Sequence, residues 1–419
     1  MPALSSHGSK SGFDGLCLRI LTFTSLYPNR INPLQGIFIH QRVRHLALHP
    51  DNSVEVIAPV PYFPSWLPVP RWQQFSQVPR QEEIDGVRIH HPRYPLLPGI
   101  SMLAHGMLMY LASLSLVRRL HHENQFECID AHFVYPDGFA AVLLGRILGV
   151  PVVVSARGTD INEYPTFRIV RLLIRWTLRN ANGVVTVSAA LRNKVVELGR
   201  PREQIRVITN GVDPQLFAMM DRAEARRRLG LSQSAEIAVC VAALRAVKGH
   251  RLLIEAIPLL AKRHPNLQLY LVGEGPLRPE VEALLAKLNL RESVFLLGQK
   301  PNSDLKIWFN ASNVCCLTSE KEGRPNVLSE SLACGTPVVA TRVGGIPEIV
   351  GSPDLGVLVE RDSRSIADGL EIAFSKDWNR RQIAAHAGSR TWAAVATEVG
   401  VYLNQCVERW KSQRGKEES

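Results

Sequence analysis

The 419-residue chain has no Cys-x-x-Cys and no unbroken apolar run of the ~18–20 residues that a membrane span needs, and its first residues are not expected to act as a secretory leader. Each absence excludes a class. Without paired cysteine spacing there is no zinc ribbon and no dithiol redox motif. The seven cysteines, Cys17, Cys128, Cys240, Cys315, Cys316, Cys334 and Cys406, sit mostly in apolar segments, which reads as buried, reduced thiols of a cytoplasmic protein. The nearest approach to a span, Ile100–Val117, is broken by His105 and by Ser and Gly residues. It reads as a core helix, with an interfacial helix as the alternative. No basic helix carries interleaved aromatics, so no nucleic-acid partner is expected.

What is present is an ordinary globular composition, 46% hydrophobic and 21% charged, long enough for two domains. The net charge is +11, and residues 1–215 carry 22 Lys/Arg against 15 Asp/Glu. Nearly all of that positive charge is arginine. A solvated basic surface, a phosphorylated substrate or an anionic membrane surface each accounts for it. Residues 1–15 are Ser/Gly-rich and are expected to be disordered.

Short apolar runs alternate with helical patterns along most of the chain. Leu16–Thr24, Val54–Pro59, Gly86–His91, Cys128–His132, Pro151–Ser155, Val184–Ser188 and Ile205–Thr209 read as strands, with 59–80 as an irregular excursion. Phe167–Arg179 reads as a basic amphipathic helix. After a charged linker at 213–234 the alternation restarts, with strands expected at Ile237–Ala242, Leu267–Val272, Val294–Leu297, Val314–Thr318, Pro337–Ala340 and Gly356–Val359. Pro258 should kink a helix over Arg251–Arg263. The pattern predicts an α/β protein: two doubly wound Rossmann-like domains facing across a cleft, at 16–212 and 235–391, with a last helix at about 392–410.

The segment Ser319–Ala340 carries the most information. Glu322 stands on a loop, and Glu330 lies about one turn inside the helix that follows. Gly335-Thr-Pro ends that helix. A helix N-terminus at the mouth of an α/β sheet has unpaired N–H groups and favours anions. Arg324, Pro325, Asn326 and Val327 lie between the two glutamates. Lys248 follows a strand and precedes a helix, as a phosphate contact would. Gly273-Glu-Gly275 lacks the third glycine of a dinucleotide fingerprint and is not read as one.

This segment, in the setting Glu-Gly-Arg-Pro-Asn-Val-Leu-Ser-Glu-Ser-Leu-Ala-Cys-Gly-Thr-Pro-Val-Val-Ala, resembles the donor-binding region of the retaining GT-B glycosyltransferases of family 4 (group 1). The resemblance runs from about Leu18 to Trp410. It implies an enzyme that moves a sugar from a nucleoside-diphosphate sugar to an acceptor hydroxyl. Glu330 would take the ribose hydroxyls, and Glu322 and His132 would face the sugar. Lys248, with Arg245, would meet the diphosphate. Gly36, Gly298, Arg324, Pro325, Asn326 and Val327 would line the donor pocket. Arg157 and Asp160 fall on the acceptor side.

The chain departs from the family at Ala243, where an arginine is usual, and at Arg157, where a histidine is usual. It has no Asp-x-Asp triplet. No metal and no cofactor are therefore expected beyond the nucleotide-sugar co-substrate. The last helix, by resemblance, crosses back to the first domain. A glycan or lipid-linked acceptor, a role in bacterial surface polysaccharide synthesis and peripheral attachment at the inner face of the plasma membrane are the further expectations. A nucleotide-sugar epimerase and a non-catalytic scaffold of the same fold are the alternatives.

Overall fold

The computed structural model describes residues 18–62, 74–95 and 102–417. In the first half the strands are β1 (Arg19–Phe23), β2 (Ser53–Ile57), β3 (Val60–Tyr62), β4 (Gln81–Ile84), β5 (Val87–His90), β6 (Arg93–Pro95), β7 (Cys128–His132), β8 (Val152–Ala156), β9 (Gly183–Thr186) and β10 (Ile205–Val207). In the second they are β11 (Glu236–Val241), β12 (Leu267–Val272), β13 (Val294–Gly298), β14 (Val314–Leu317), β15 (Val338–Thr341) and β16 (Gly356–Val359). Two large sheets result. One has the order β10-β9-β8-β7-β1-β2-β5-β4, the other β13-β12-β11-β14-β15-β16. By contact density the chain divides into two compact units. One gathers the described residues up to Ser155, Trp176–Val184 and the chain from Ala396 on. The other gathers Ala156–Arg175 and Val185–Val395.

In the first sheet β1 pairs in parallel with β2 on one side and with β7 on the other. The strand order therefore reverses at β1/β7, and such a reversal opens a crevice at the strand carboxyl ends. The loops that leave β1 and β7 meet there, where the Ser25 amide donates to the Asp137 carboxylate. The last helix, Trp392–Glu417, is longer than its sequence pattern implied. From Ala396 on it belongs to this first unit, where the Trp410 indole N–H donates to Gly149 O (3.3 Å).

Two pairings went unread in the sequence. Strand β4 runs antiparallel to β5 through the two-residue turn Asp85-Gly86, both at positive φ (51° and 76°). Such a turn matches the twist of its flanking strands. Strand β3 pairs with β6 in a small separate sheet. Part of the excursion expected at 59–80 is thus extended chain, and residues 63–73 lie outside the described residues.

The second sheet is parallel throughout. Its order reverses at β11/β14, so the loops after these two strands share one crevice. Alternate residues of β11 feed opposite cores. Ile237 and Val239 pack with Phe309, Leu328 and Leu332, while Ala238 and Cys240 pack with Leu253, Ile257 and Leu370. Both faces are covered, which is why these strands read as continuous apolar runs. The six described cysteines are buried and none of them forms a disulfide. Burial pushes the Cys240 and Cys334 thiols up to about 12, which keeps them protonated and inert. The helix His250–Leu260 accommodates Pro258 in its last turn and stops short of the Arg263 expected from the pattern.

Candidate functional site

Strand β11 delivers the loop Ala242–Gly249 to the crevice. Ala246–Lys248 form a single tight turn, and Gly249 follows with φ +68°. A Cβ at Gly249 would lie 2.2 Å from Thr318 O, so only glycine allows this loop to sit against the end of β14. The Thr318 hydroxyl donates to Lys248 O (3.2 Å) and Gly249 O (3.1 Å). Thus seated, Lys248 Nζ reaches Glu322 Oε1 at 2.6 Å, and Ser319 Oγ donates to the same oxygen at 2.6 Å. The lysine side chain is 25% exposed and the glutamate 10%. Partial desolvation strengthens their attraction beyond that of a surface pair.

The backbone at Glu322 is held from several directions. Asn162 Nδ2 donates to Glu322 O (3.3 Å). Ser188 Oγ and the Gly345 amide both donate to Gly323 O (3.0 and 3.1 Å). Gly344 has φ +53°, and a Cβ there would stand 2.0 Å from Glu322 O. Pro325, in extended conformation, then starts the helix Asn326–Ala333. Proline sets the entry, and the amides of the first turn have no intrahelical partner. The Asn326 side chain accepts from Asn210 Nδ2 (2.8 Å), and Asn210 Oδ1 accepts from Arg157 Nη1 (3.2 Å). Leu328 is fully buried and anchors the helix from below, while Val327 is half-buried.

Glu330 sits one turn in and is half-buried. Its carboxylate has no hydrogen bond or ion pair among the described residues. Burial pushes it up to about 7, against an ordinary value of 4.5. The site therefore contains one carboxylate that is ion-paired through Oε1, Glu322, and one that lacks donors.

Other residues singled out in the sequence fall as follows. Asp160 is fully buried and accepts from the amides of Arg157 (3.1 Å) and Gly158 (2.8 Å), so its carboxylate shapes its own loop. Arg245 is exposed, as is Ala243 two residues before it, and its guanidinium makes no hydrogen bond or ion pair among the described residues. Gly298 ends β13 at φ +70°, where a Cβ would lie 2.9 Å from Glu274 Oε1. The Arg324 side chain lines a cavity with Glu348 and Arg390. In the first unit, Gly36 caps the helix Ile37–Ala47 at φ +65°, and a Cβ there would meet Leu26 O at 2.2 Å. His132 ends β7, fully buried, with Nε2 3.3 Å from Asp130 Oδ2. Arg42 grips Asp130 with one guanidinium nitrogen at 2.7 and 2.8 Å, and donates to Ser155 Oγ at 2.9 Å.

Three contributors were not anticipated: Ser319, Asn162 and Glu348. Glu348 accepts from the amides of Ala189 (2.9 Å) and Ala190 (2.8 Å) at the start of a helix. The sequence held a local signal only for Ser319, three residues before Glu322. Among the described residues no helix is long and apolar enough to cross a membrane, and no three His, Cys, Asp or Glu side chains gather as a metal-binding group.

Two doubly wound sheets, one wholly parallel with a lysine and two glutamates by its switch point and the other parallel but for its edge strand β4, match the GT-B glycosyltransferase fold. The chain belongs to the group 1 glycosyltransferases: residues 221–390 match the family described as "Glycosyl transferases group 1", and residues 72–216 match "Glycosyltransferase Family 4". It is 28% identical over 359 residues to a putative teichuronic acid biosynthesis glycosyltransferase, TuaC, of Bacillus subtilis, covering 84% of this chain and 88% of that one. It is 29% identical over 261 residues to the N-acetyl-alpha-D-glucosaminyl L-malate synthase of Bacillus anthracis, covering 62% and 68%. Among solved structures, sucrose-phosphate synthase of Thermosynechococcus elongatus superposes with a TM-score of 0.73 at 20% identity, covering 93% of this chain and 98% of that one. Anabaena HepE in complex with UDP and glucose superposes with a TM-score of 0.65 at 20% identity, covering 94% and 100%.

Proposed function

We propose that this glycosyltransferase is a retaining enzyme that works without a metal, taking a sugar from a nucleoside-diphosphate donor to an acceptor hydroxyl in the assembly of a bacterial surface glycan. The observation that carries the reading is the cluster at β11/β14. Lys248 is held against Glu322, the helix Asn326–Ala333 starts beside them, and Glu330 lies one turn in without donors. Ribose hydroxyls would supply the hydrogen bonds that Glu330 lacks. Lys248, the first-turn amides of the helix and the exposed Arg245 would neutralise the diphosphate. The resemblance assigns His132 to the donor sugar.

In the reaction the bond from the anomeric carbon to the diphosphate oxygen breaks, and the acceptor oxygen bonds to the same face of that carbon. The acceptor proton passes to the departing phosphate oxygen, so no protein base is needed. Glu322 would hold sugar hydroxyls and balance the positive charge that builds at the anomeric carbon. Its ion pair with Lys248 would keep that negative charge beside the lysine that meets the diphosphate. The two glutamates then act as donor clamps, unlike the acid and base that flank the bond in a glycosidase.

The surface-glycan reading draws on the relative named for teichuronic acid biosynthesis. A lipid-linked acceptor at the inner membrane face would suit the helix Arg168–Asn180, where Arg168 and Arg171 stand exposed beside Phe167, Ile169 and Leu172. The deciding experiment is a screen of UDP-, GDP- and ADP-sugars for nucleoside-diphosphate release, with analysis of product linkage. Release with one donor, lost in Glu322→Ala, is the expected result. Epimerised free sugar in place of transferred sugar, or a phenotype indifferent to Glu322→Ala, would overturn it.

A further inference from the structure

The first unit contains a cavity of about 160 Å³ at the carboxyl ends of β1, β2 and β5, where Ser25, Ala58 and His91 line it. No Asp, Glu, Lys or Arg side chain lines it. His91 is already engaged: its Nδ1 faces Ala58 O (2.9 Å) and its Nε2 the Glu82 carboxylate (2.7 Å). What remains on the wall is neutral and polar, the side chains of Ser25, Asn29 and Gln35, set among the rings of Tyr27, Phe75 and Tyr94. Lys248, Glu322 and Glu330 belong to the other unit.

Asn29 is 5% exposed, and its Oδ1 accepts from the amides of Ile31 (3.1 Å) and Asn32 (2.9 Å). Those two bonds fix which end of the carboxamide is oxygen. They leave Nδ2, with its two N–H donors, without a partner among the described residues. A buried donor left unpaired is costly, and native structures seldom keep one without a use for it. The half-buried Ser25 hydroxyl and Gln35 carboxamide likewise make no hydrogen bond among the described residues. The aromatic wall, by contrast, is tied down. The Tyr27 hydroxyl is hydrogen-bonded to His40 Nδ1 (2.9 Å) and the Tyr94 hydroxyl to His105 Nε2 (2.7 Å). With their hydroxyls engaged, these rings offer carbon surface.

An anion would meet no cation on this wall, and an apolar chain would leave Asn29 Nδ2 unpaired. A fitting occupant carries no net charge, has groups that both donate and accept, and presents C–H surface to the rings. A sugar ring meets all three conditions. A water molecule's share of liquid volume is about 30 Å³, so the space is that of roughly five waters, the scale of one such ring. We propose that this cavity is a binding site for one uncharged sugar ring, with Asn29 Nδ2 donating to a ring hydroxyl and Ser25 and Gln35 exchanging hydrogen bonds with neighbouring hydroxyls. On the sugar-transfer reading, on which this last step alone rests, the ring belongs to the acceptor, which is then a glycan recognised through a neutral residue.

Saturation-transfer NMR of the full chain tests this, with methyl glucoside, methyl galactoside, methyl N-acetylglucosaminide and methyl glucuronide titrated separately and no nucleotide present. The chains compared are the unsubstituted protein, Asn29→Asp, Gln35→Ala and Lys248→Ala, each checked for folding by thermal melting. Aspartate keeps an oxygen for the amides of Ile31 and Asn32, and so keeps the turn, but puts an acceptor where the N–H donors stood. The expected result is saturable binding of at least one of the three uncharged glycosides, tighter than that of the glucuronide and retained in Lys248→Ala. Asn29→Asp should weaken it at least about tenfold, or about 1.4 kcal/mol, and Gln35→Ala at least about threefold. If Asn29→Asp does not fold, Gln35→Ala carries the comparison, since that side chain holds no other part of the described structure. The proposal is overturned if no uncharged glycoside saturates, if the glucuronide binds best, or if both cavity variants bind as the unsubstituted protein does. It also fails if Lys248→Ala abolishes binding, which would place the sugar at the donor site. No nucleotide enters the measurement, so its failure leaves the sugar-transfer reading untouched. Failure of that reading would in turn leave the ring site standing and remove only its assignment to an acceptor.

Discussion

Lys248 Nζ and Glu322 Oε1 are 2.6 Å apart although 74 residues separate them in the chain, and Ser319 shares the same oxygen. On the proposed reading, the lysine meets the diphosphate and the glutamate the sugar. Donor binding on this geometry adds the ligand to a neutralised pair and leaves no isolated charge to be created.

Removing either partner of that pair leaves the other half-buried and uncompensated. Lys248→Ala is expected to lower kcat/KM by about 10²–10³, the scale seen when one stabiliser of transition-state charge is lost. Ser319→Ala leaves the ion pair in place and should cost no more than about tenfold, one hydrogen bond to a charged group. Steady-state kinetics on the preferred donor checks both. Equal losses in the two variants would mean that the lysine acts only through its position.

Glu330 yields a prediction with two signs. Its folded value of about 7 lies above its ordinary value, so the unfolded chain gives up this proton more readily. Its contribution favours the folded state below about pH 4.5 and is lost as pH rises through about 7. Glu330→Gln should therefore raise Tm at pH 8 and leave it nearly unchanged at pH 5. The same substitution should weaken nucleoside-diphosphate binding, because a neutral amide is a poorer acceptor for ribose hydroxyls than a carboxylate. In the unsubstituted protein, binding should be accompanied by proton release near pH 7, read as a dependence of titration heat on buffer ionisation enthalpy.

Gly344→Ala places a methyl group 2.0 Å from Glu322 O on a residue at φ +53°. The loop must shift or the protein must lose stability. We expect a loss of at least ~1 kcal/mol from backbone strain alone, together with a fall in activity. Gly351→Ala, where a Cβ meets nothing within 4 Å, is the matched control and should change neither.

The helix Arg168–Asn180 holds no Asp or Glu, and its Arg168, Arg171, Arg175 and Arg179 recur along its length. Replacing Arg168, Arg171 and Arg175 by Gln should reduce sedimentation with anionic liposomes, at about 1 kcal/mol per charge near the surface. Catalysis on a soluble acceptor should be retained. Unchanged liposome binding would show that this helix is an ordinary solvated surface.

Much of the fold was legible because parallel strands buried on both faces announce themselves as apolar runs, as Ile237–Val241 and Leu267–Val272 do. The Asp85-Gly86 hairpin was also readable from its turn residues, but alternation over four residues per strand is a weak signal beside longer runs. The helix over Asn326–Ala333, Glu330 within it and Glu322 on the loop before it were evident from local spacing. The pairing of Lys248 with Glu322 was not, since no spacing rule links loops that only the strand order β11-β14 brings side by side. For the same reason the Asp160 carboxylate, which turns back onto its own loop, and Arg324, which turns into a cavity, could be located in the chain but not aimed.

The carbonyls of Glu322 and Gly323 are held by side chains from residues 162 and 188 and by the amide of Gly345, while the side chains of 322 to 330 point into several environments. A segment fixed through its main chain is open to change through its side chains alone. Insertions or deletions between Gly323 and Asn326 would break those anchors, whereas replacement of Lys321 or Arg324 would not. Enzymes of altered ligand preference built on this scaffold should thus be sought by substitution at constant loop length.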